Sequence, residues 1–506
     1  MRALRSDGAS APPSHRQRST RSLLALLTLL AGCGKEEPIA PSHQQTPSVT
    51  ARPNIVVVMT DDQTVESMRV MPQTVQGIGS AGTTFDNSMV TYALCCPSRA
   101  TFLTGQYPHN HGVRNNVPPE GGYPALDHSN TLPVWLQAAG YVTGHVGKYL
   151  NRYGDADPLE IPPGWTEWFA AVGASAEKYF DYQLNENGTL VSYGSTPEEY
   201  QGDIYTAKAV DFIQRHAAGG DGGQTPFFLF VGYAAPHVGI PIEPGDPSMA
   251  TPVPAPRHKG RFAAEMLPVT PSFNEADMSD KPASMRKRAL LTSTQVSEIG
   301  QNYRQRLESL LAVDEGVGQI LGALRTAGIL ENTLIVFTSD NGFYHGEHRI
   351  DFGKVLPYEP AVKVPLLIRG PGVAAGRRVS ALVANIDLAP TIVAAAGATP
   401  GRVMDGRSLY PFLSGGQTAW LSGNGPRHVL VEDSRQGTAS TRFLSIKRGA
   451  YVYTEYDNGN RELYDLRTDS AQVRSRHADQ AYAKVRRQLA TRLAAMKACS
   501  GPTACW

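Results

Sequence analysis

No sign of charge dominates this chain of 506 residues: 47 Lys and Arg face 46 Asp and Glu, for a formal charge of +1. That balance excludes the strongly basic surface of a nucleic-acid-binding domain. Cysteine is scarce, with only Cys33, Cys95, Cys96, Cys499 and Cys505. The fold must therefore rest on a packed core, and the chain is long enough for a large one and for two domains. No internal repeat or coiled-coil heptad is present, which excludes solenoid and filament architectures. The apolar run Leu23–Leu30 is too short to span a bilayer as a helix.

What surrounds that run gives it a meaning. Arg2, Arg5, Arg16, Arg18 and Arg21 precede it, and it ends at Leu30-Ala31-Gly32-Cys33. A basic region, a short apolar region and small residues make an export signal. The last four residues resemble the bacterial lipobox, where cleavage falls before the cysteine and its sulfur and new amino group are acylated. The expectation is an exported bacterial lipoprotein with signal 1–33, anchored by lipidated Cys33 at the periplasmic or cell-surface side of a membrane. An ordinary secretory signal cut near Ala31 is the alternative. The basic region is unusually long for such a signal, which leaves a start downstream of Met1 open. Loss of those arginines makes the mature protein near neutral or slightly acidic. Residues 34–52, rich in Pro, Ser, Thr, Gln and Glu, read as a flexible tether.

The chemistry centres on Leu94-Cys95-Cys96-Pro97-Ser98-Arg99-Ala100-Thr101-Phe102-Leu103-Thr104-Gly105. Pro97 in a first turn and Gly105 at an end predict a short helix. Cys95 is expected just before it, where backbone N–H groups and the helix dipole favour negative charge. Arg99 adds a cation one turn on. A nucleophile beside an anion pocket is the functional reading; a buried cysteine pair at a helix start is the structural one. Cys96 reads as a small buried residue.

Two apolar strands end in acids. Asn54-Ile55-Val56-Val57-Val58-Met59, a buried parallel strand by composition, runs into Asp61 and Asp62. Thr333-Leu334-Ile335-Val336-Phe337-Thr338 runs into Asp340 and Asn341. Carboxylates at the C-terminal ends of buried strands sit where open α/β sheets place ligands, and they are expensive there without a cation. Hard oxygen donors without sulfur or imidazole suit Ca²⁺ or Mg²⁺ and argue against zinc. Three further strand-like segments adjoin polar groups: residues 141–146 before Lys148, residues 227–231 before His237, and residues 364–369 after Lys354. Alone, each of these groups carries little information.

Together they form a pattern. Cys95-x-Pro97-Ser98-Arg99 followed by Leu103-Thr104-Gly105 resembles the signature of the type I sulfatases. Gly105-Gln106-Tyr107-Pro108-His109-Asn110-His111 resembles a narrower branch, the N-acetylglucosamine-6-sulfatases and extracellular endosulfatases. The resemblance implies that a formylglycine-generating enzyme oxidises Cys95 to Cα-formylglycine, which hydrates to a geminal diol. One hydroxyl attacks sulfur and displaces the alcohol; the other loses its proton and expels sulfate. A serine could perform only the first step. The resemblance also assigns Asp61, Asp62, Asp340 and Asn341 to Ca²⁺, with Mg²⁺ the lesser alternative. It assigns Arg99, Lys148 and Lys354 to the sulfate oxygens, and His237 to sulfate and the leaving oxygen.

One departure stands out. Many sulfatases carry a histidine two residues after the lysine matching Lys148, and it helps eliminate sulfate. Here that position is Leu150, in the Gly-Lys-Tyr-Leu-Asn form of the glucosamine branch. His109, His111 and His145 are the candidates left for that base, and His345 and His348 for substrate contact.

The remaining sequence is scaffold. Residues 240–290 are Pro-rich, irregular and too long for a plain connection, so they are expected to wall the substrate cleft. Leu307, Leu310, Leu311, Ala312, Val317, Ile320, Leu321 and Leu324 mark a helix closed by Gly328. Asp387 is a candidate cap for another helix. Beyond residue 425 short strands alternate, with Asn458-Gly459 as a hairpin turn, then a helix over 481–497. Cys499 and Cys505 bracket a small disulfide loop.

The resemblance implies an alkaline-phosphatase-like α/β fold: a mixed sheet flanked by helices in a catalytic domain 53–424, and a C-terminal antiparallel subdomain 425–506 that includes Glu462-Leu463-Tyr464-Asp465-Leu466. The implied activity is sulfate release from a sulfated sugar, N-acetylglucosamine-6-sulfate or a related glycan. Two rivals are a phosphonate monoester hydrolase or phosphodiesterase of the same superfamily and a non-catalytic glycan-binding surface lipoprotein. The presence of all nine implied site residues argues against the second.

Overall fold

The computed structural model describes residues 52–217, 225–240, 243–414, 426–433 and 442–506. The export signal, lipobox, most of the tether and the 424/425 boundary lie outside them. Among the described residues no helix is long and apolar enough to cross a membrane.

Ten strands form one mixed sheet. In chain order they are β1 (Asn54–Thr60), β2 (Thr83–Phe85), β3 (Val142–Gly147), β4 (Glu167–Ala171), β5 (Tyr182–Glu186), β6 (Thr189–Tyr193), β7 (Phe227–Gly232), β8 (Thr333–Ser339), β9 (Leu366–Arg369) and β10 (Arg377–Val379). Their spatial order is β10-β2-β9-β8-β1-β7-β3-β4-β5-β6. The centre is parallel: β1 pairs with β8 and β7, and β7 with β3. Four neighbouring strands therefore end on one edge. Asp61, Asp340, His237 and Lys148 all follow those ends, as expected of an open parallel sheet that binds its ligand there.

The β-branched run of β1 is buried on both faces, as its composition requires. Ile55, Val57 and Met59 pack with Phe102, Leu103 and Phe230, on the side of helix α1 (Cys95–Thr104). Val56 and Val58 pack with Tyr205 and Phe212 of α2 (Gln201–Ala217) and with Leu307, Leu310 and Val313 of α3 (Ser293–Thr326). The long helix α3 starts at a capping box between Thr292 and Gln295.

Helix α1 begins at Cys95 itself, one residue earlier than expected, and ends at Gly105 with φ +66°. Leu94 caps it with no side chain; instead Asn116 Oδ1 accepts from the Cys96 N–H at 2.9 Å. Asp387 does not cap the helix that follows it, Leu388–Ala396. Its carboxylate accepts from the upstream Ala384 N–H at 2.9 Å and pairs with Arg427 at 2.8 Å.

A four-stranded antiparallel meander follows: β11 (Val429–Glu432), β12 (Phe443–Arg448), β13 (Tyr451–Tyr456) and β14 (Arg461–Asp465). The last hairpin turns at Asn458-Gly459, and the helix Ala483–Met496 comes next. Cys499 and Cys505 form the expected disulfide. The meander shares an apolar cluster with Tyr107, Tyr344 and Tyr358 of the preceding chain.

A buried carboxylate reinforces that seam. Glu462 accepts from Tyr358 at 3.0 Å, from Tyr464 at 2.5 Å and from Tyr456 at 2.5 Å. Glu462→Leu strands three buried phenols without an acceptor and is expected to destabilise the fold by about 2–4 kcal/mol. Glu462→Gln, which keeps an acceptor, should lose less. Urea unfolding of both variants checks the order.

Candidate active site

The expected residues meet at one spot. Cys95, Asp61, Arg99 and Asp340 are fully buried, and Lys148 is 1 % exposed. Lys354 and His237 are the more exposed members, their side chains 11 % and 12 % exposed. Cys95 Sγ lies 3.3 Å from Asp61 Oδ1, 2.8 Å from Lys354 Nζ and 4.0 Å from Lys148 Nζ.

Each strand end contributes by a local device. Asp62 adopts φ +69° as the chain leaves β1. Its N–H donates to Asp340 Oδ1 at 3.1 Å, which ties the ends of β1 and β8. The next N–H, of Gln63, donates to Ser339 Oγ at 2.9 Å. Gly147 precedes Lys148 at φ +100°, and a Cβ there would stand 2.2 Å from the Gly232 carbonyl. Only glycine permits that approach of β3 to β7. Gly147→Ala should therefore displace Lys148 and lower kcat/KM by about 10²-fold, measured on folded protein.

Charges balance in pairs. Lys148 Nζ is 2.5 Å from Asp61 Oδ2, and Lys354 Nζ pairs with Asp62. Arg99 donates from Nε to Asp340 Oδ2 at 2.7 Å, from Nη2 to Asp61 Oδ2 at 3.2 Å and from Nη1 to the Lys148 carbonyl at 2.8 Å. Each guanidinium nitrogen thus has a protein partner, and Arg99 ties the carboxylates of Asp61 and Asp340 together. Burial drives the Asp61 carboxyl up, yet Lys148, His237, Lys354 and Arg99 together hold it well below the usual range. Burial and the neighbouring Asp61 push Asp340 up. Burial and Asp61 push the Cys95 thiol well up, against the opposing pull of Lys148 and Lys354.

The acids fit a metal. Carboxylate oxygens of Asp61, Asp62 and Asp340 lie within 4.8 Å of one another. Asn341 Nδ2 donates to Asp62 Oδ1 at 2.6 Å, while its Oδ1 is buried with no partner among the described residues. Three carboxylates and an unused amide oxygen make a hard-donor set. His237 Nδ1 donates to the Val238 carbonyl at 2.8 Å, which leaves Nε2, 3.8 Å from Asp62 Oδ2, to hold or hand over a proton.

The other histidines go elsewhere. His109 is bonded to Glu432 and, at 2.8 Å, to the Cys499 carbonyl. His111 Nε2 meets Thr101 Oγ1 at 3.1 Å. His145 is fully buried among Tyr149, Trp165, Trp168 and Phe230. Burial pushes both His111 and His145 down to about 3. Their surroundings do not suit any of the three as the elimination base. His348 is fully buried against Tyr358 and bonds Glu275 Oε2 at 2.7 Å, a structural setting rather than a substrate contact. His345 does line a cavity of about 310 Å³ with Thr64, Tyr303 and Phe343. Pro268, Thr270, Pro271 and Ser272 form another wall of it, so the irregular stretch walls a cavity beside the site rather than one lined by Cys95, Lys148, His237 or Lys354.

Sequence patterns missed Arg306. It sits on α3 amid the apolar positions, 3 % exposed, and donates to the Asp62 and Pro236 carbonyls. Position 306 falls on the apolar stripe of the helix, three residues after Tyr303 and four before Leu310, and a cation on that stripe is the signal that could have found it.

Comparison with known proteins supports the same reading. The family model described as Sulfatase matches residues 53–398, and that described as N-sulphoglucosamine sulphohydrolase, C-terminal, matches 346–499. The chain is 36% identical over 426 residues to human N-acetylglucosamine-6-sulfatase, covering 81% of this chain and 71% of that one. It is 37% identical over 371 residues to the putative extracellular sulfatase Sulf-1 homolog of Caenorhabditis elegans. That match covers 72% of this chain and spans 50% of the relative's length. Among solved structures, BT4656 in complex with its substrate D-glucosamine-2-N,6-O-disulfate superposes with a TM-score of 0.72 at 26% identity, covering 88% of this chain and 97% of that one. The phosphonate monoester hydrolase of Agrobacterium radiobacter shares the fold, with a TM-score of 0.66 at 20% identity over 88% of this chain and 96% of that one. With its mixed ten-stranded sheet, its C-terminal meander and a family match over most of its length, the chain belongs to the sulfatase family.

Proposed function

We propose that this protein is a sulfuric ester hydrolase that releases sulfate from a sulfated sugar, with N-acetylglucosamine-6-sulfate or a related glycan as substrate. The observation that carries the reading is the convergence of Cys95 Sγ with Lys354 at 2.8 Å, Lys148 at 4.0 Å and Asp61 at 3.3 Å. The relative active on N-acetylglucosamine-6-sulfate by name supports the substrate class.

The family implies that Cys95 acts as formylglycine, which supplies a carbonyl hydrate with two hydroxyls in place of the thiol. Asp61, Asp62, Asp340 and Asn341 would hold the metal, with calcium the ion that best suits four oxygen donors; when bound it supplies Lewis acidity toward sulfate oxygen. Lys148 and Lys354 flank the reacting end of residue 95 and draw the sulfate anion there. Their ammonium groups are fixed before substrate arrives, so they stabilise charge that grows on sulfate oxygens without reorganisation. Arg99 keeps Asp61 and Asp340 in place. His237, held through Nδ1, presents Nε2 for a proton to the leaving alcohol oxygen. Burial of the cluster keeps bulk water from these groups.

A formylglycine-generating enzyme is the maturation partner, and the lipobox at Cys33 makes the protein an exported, membrane-anchored lipoprotein on this reading. The test is sulfate release from N-acetylglucosamine-6-sulfate by matured protein, run beside an aryl phosphonate monoester. Preferential turnover of the sulfate ester is expected. Turnover of the phosphonate with no sulfate release would move the assignment to the phosphonate hydrolases.

A further inference from the structure

We infer that Arg306 is a positioning residue that fixes, from the far side of the sheet, the relative placement of the loops carrying Asp62, His237 and Asn341. The inference rests on the proposed sulfatase site and adds a residue to it.

Arg306 reaches up from α3, which covers the face of the sheet opposite α1. Its Nη1 donates to the Pro236 carbonyl at 2.8 Å, and its Nη2 to the Asp62 carbonyl at 2.5 Å. Its guanidinium carbon stands 3.9 Å from the centroid of the Phe343 ring. Those three residues belong to three loops. Asp62 lies two positions beyond β1, Pro236 immediately precedes His237, and Phe343 follows Asn341 by two positions. One rigid fork therefore joins the strand ends that supply two of the hard-oxygen donors and the imidazole.

The arrangement is costly unless it serves placement. Among the described residues Arg306 makes no ion pair with a carboxylate, yet it is 3 % exposed. Burying a guanidinium without a paired anion is unfavourable unless its N–H groups are otherwise satisfied, and here two carbonyls satisfy them. A neutral apolar residue would pack there at lower cost but could not bridge two carbonyls. A lysine could reach one of them; the planar fork of arginine reaches both. The Asp62 backbone, at φ +69°, needs such an anchor, because a non-glycine residue holds that conformation only where its surroundings impose it. Its carboxylate direction follows from that backbone.

The test compares parent, Arg306→Lys and Arg306→Met, with Phe343→Leu as a milder variant that keeps the arginine. Melting temperature is measured in chelator and across a calcium titration, and sulfate release is followed on N-acetylglucosamine-6-sulfate. The calcium concentration giving half of the melting-temperature shift should rise about 10-fold or more in Arg306→Lys. In that variant kcat should fall about 10- to 100-fold while KM changes much less, since misplacement acts on the transition state. Arg306→Met should lose more than Arg306→Lys, and Phe343→Leu less. Parental calcium response and kcat in a folded Arg306→Lys would overturn the inference. So would a loss that vanishes on cooling to a temperature where the variant is fully folded. If Arg306→Met does not fold, Arg306→Lys and Phe343→Leu decide. A parent that shows the calcium shift but releases no sulfate would instead count against the proposed substrate.

Discussion

Cys95→Ser is expected to abolish multiple turnover, by about 10³-fold or more, while leaving the protein folded. The thiol donates to Asp61 and accepts from Lys354 and, at 4.0 Å, from Lys148, and a hydroxyl can donate and accept in the same place. Serine has one hydroxyl where the carbonyl hydrate has two. Lys148 and Lys354 would still draw the sulfate ester to residue 95, and the serine oxygen could attack once. It has no second hydroxyl to expel sulfate, so the protein should retain one sulfuryl group per chain. Intact-mass measurement after incubation with substrate reads that directly. An unmodified Cys95→Ser with parental turnover would exclude residue 95 as the nucleophile's position.

Asp340→Ala carries the second large expected effect. Asp340 joins the site by two bonds, from Arg99 Nε at 2.7 Å and from the Asp62 N–H at 3.1 Å. Its loss removes one of three clustered carboxylates and leaves Arg99 Nε without its partner, so the remaining site holds more positive charge and fewer oxygen donors. Divalent-metal affinity should fall steeply, and kcat/KM by about 10³-fold or more, a few kcal/mol of lost stabilisation. Excess calcium should not restore parental activity. Asp340→Asn, which keeps the shape and one oxygen, should retain measurable calcium binding. Calcium titration followed by melting temperature, beside sulfate release, separates the two variants. Full activity of Asp340→Ala in chelator would remove the metal from the mechanism.

Much of this site is legible in the order of the residues alone. Strands β1 and β8 declare themselves by unbroken apolar runs, and acids at the ends of such runs are improbable without a cation. A helix closed by Gly105 follows from Pro97 and Gly105, although it starts at Cys95, one residue before the expected place. Other features depend on contacts across the fold. Asp387 looks like a cap because aspartate often is one, yet the upstream Ala384 N–H, the Arg407 N–H and Arg427 take its carboxylate. His109, His111 and His145 lie close in sequence to motif residues, but sequence proximity says nothing of where a ring points. The aromatic box around His145 is assembled from β3, β7 and the segment around Trp165 and Trp168, and the Glu432 that takes His109 is more than three hundred residues away. Arg306 and Glu462 are polar residues inside cores, and their roles lie in partners that no local pattern names.

The whole mechanism turns on the chemical state of residue 95. The direct measurement is the mass of the peptide containing Cys95, from protein produced with a formylglycine-generating enzyme, before and after reaction with a carbonyl reagent. A formylglycine mechanism predicts the aldehyde mass, a shift with the reagent, and neither in Cys95→Ala. A plain thiol, under conditions that convert a control sulfatase, would contradict it.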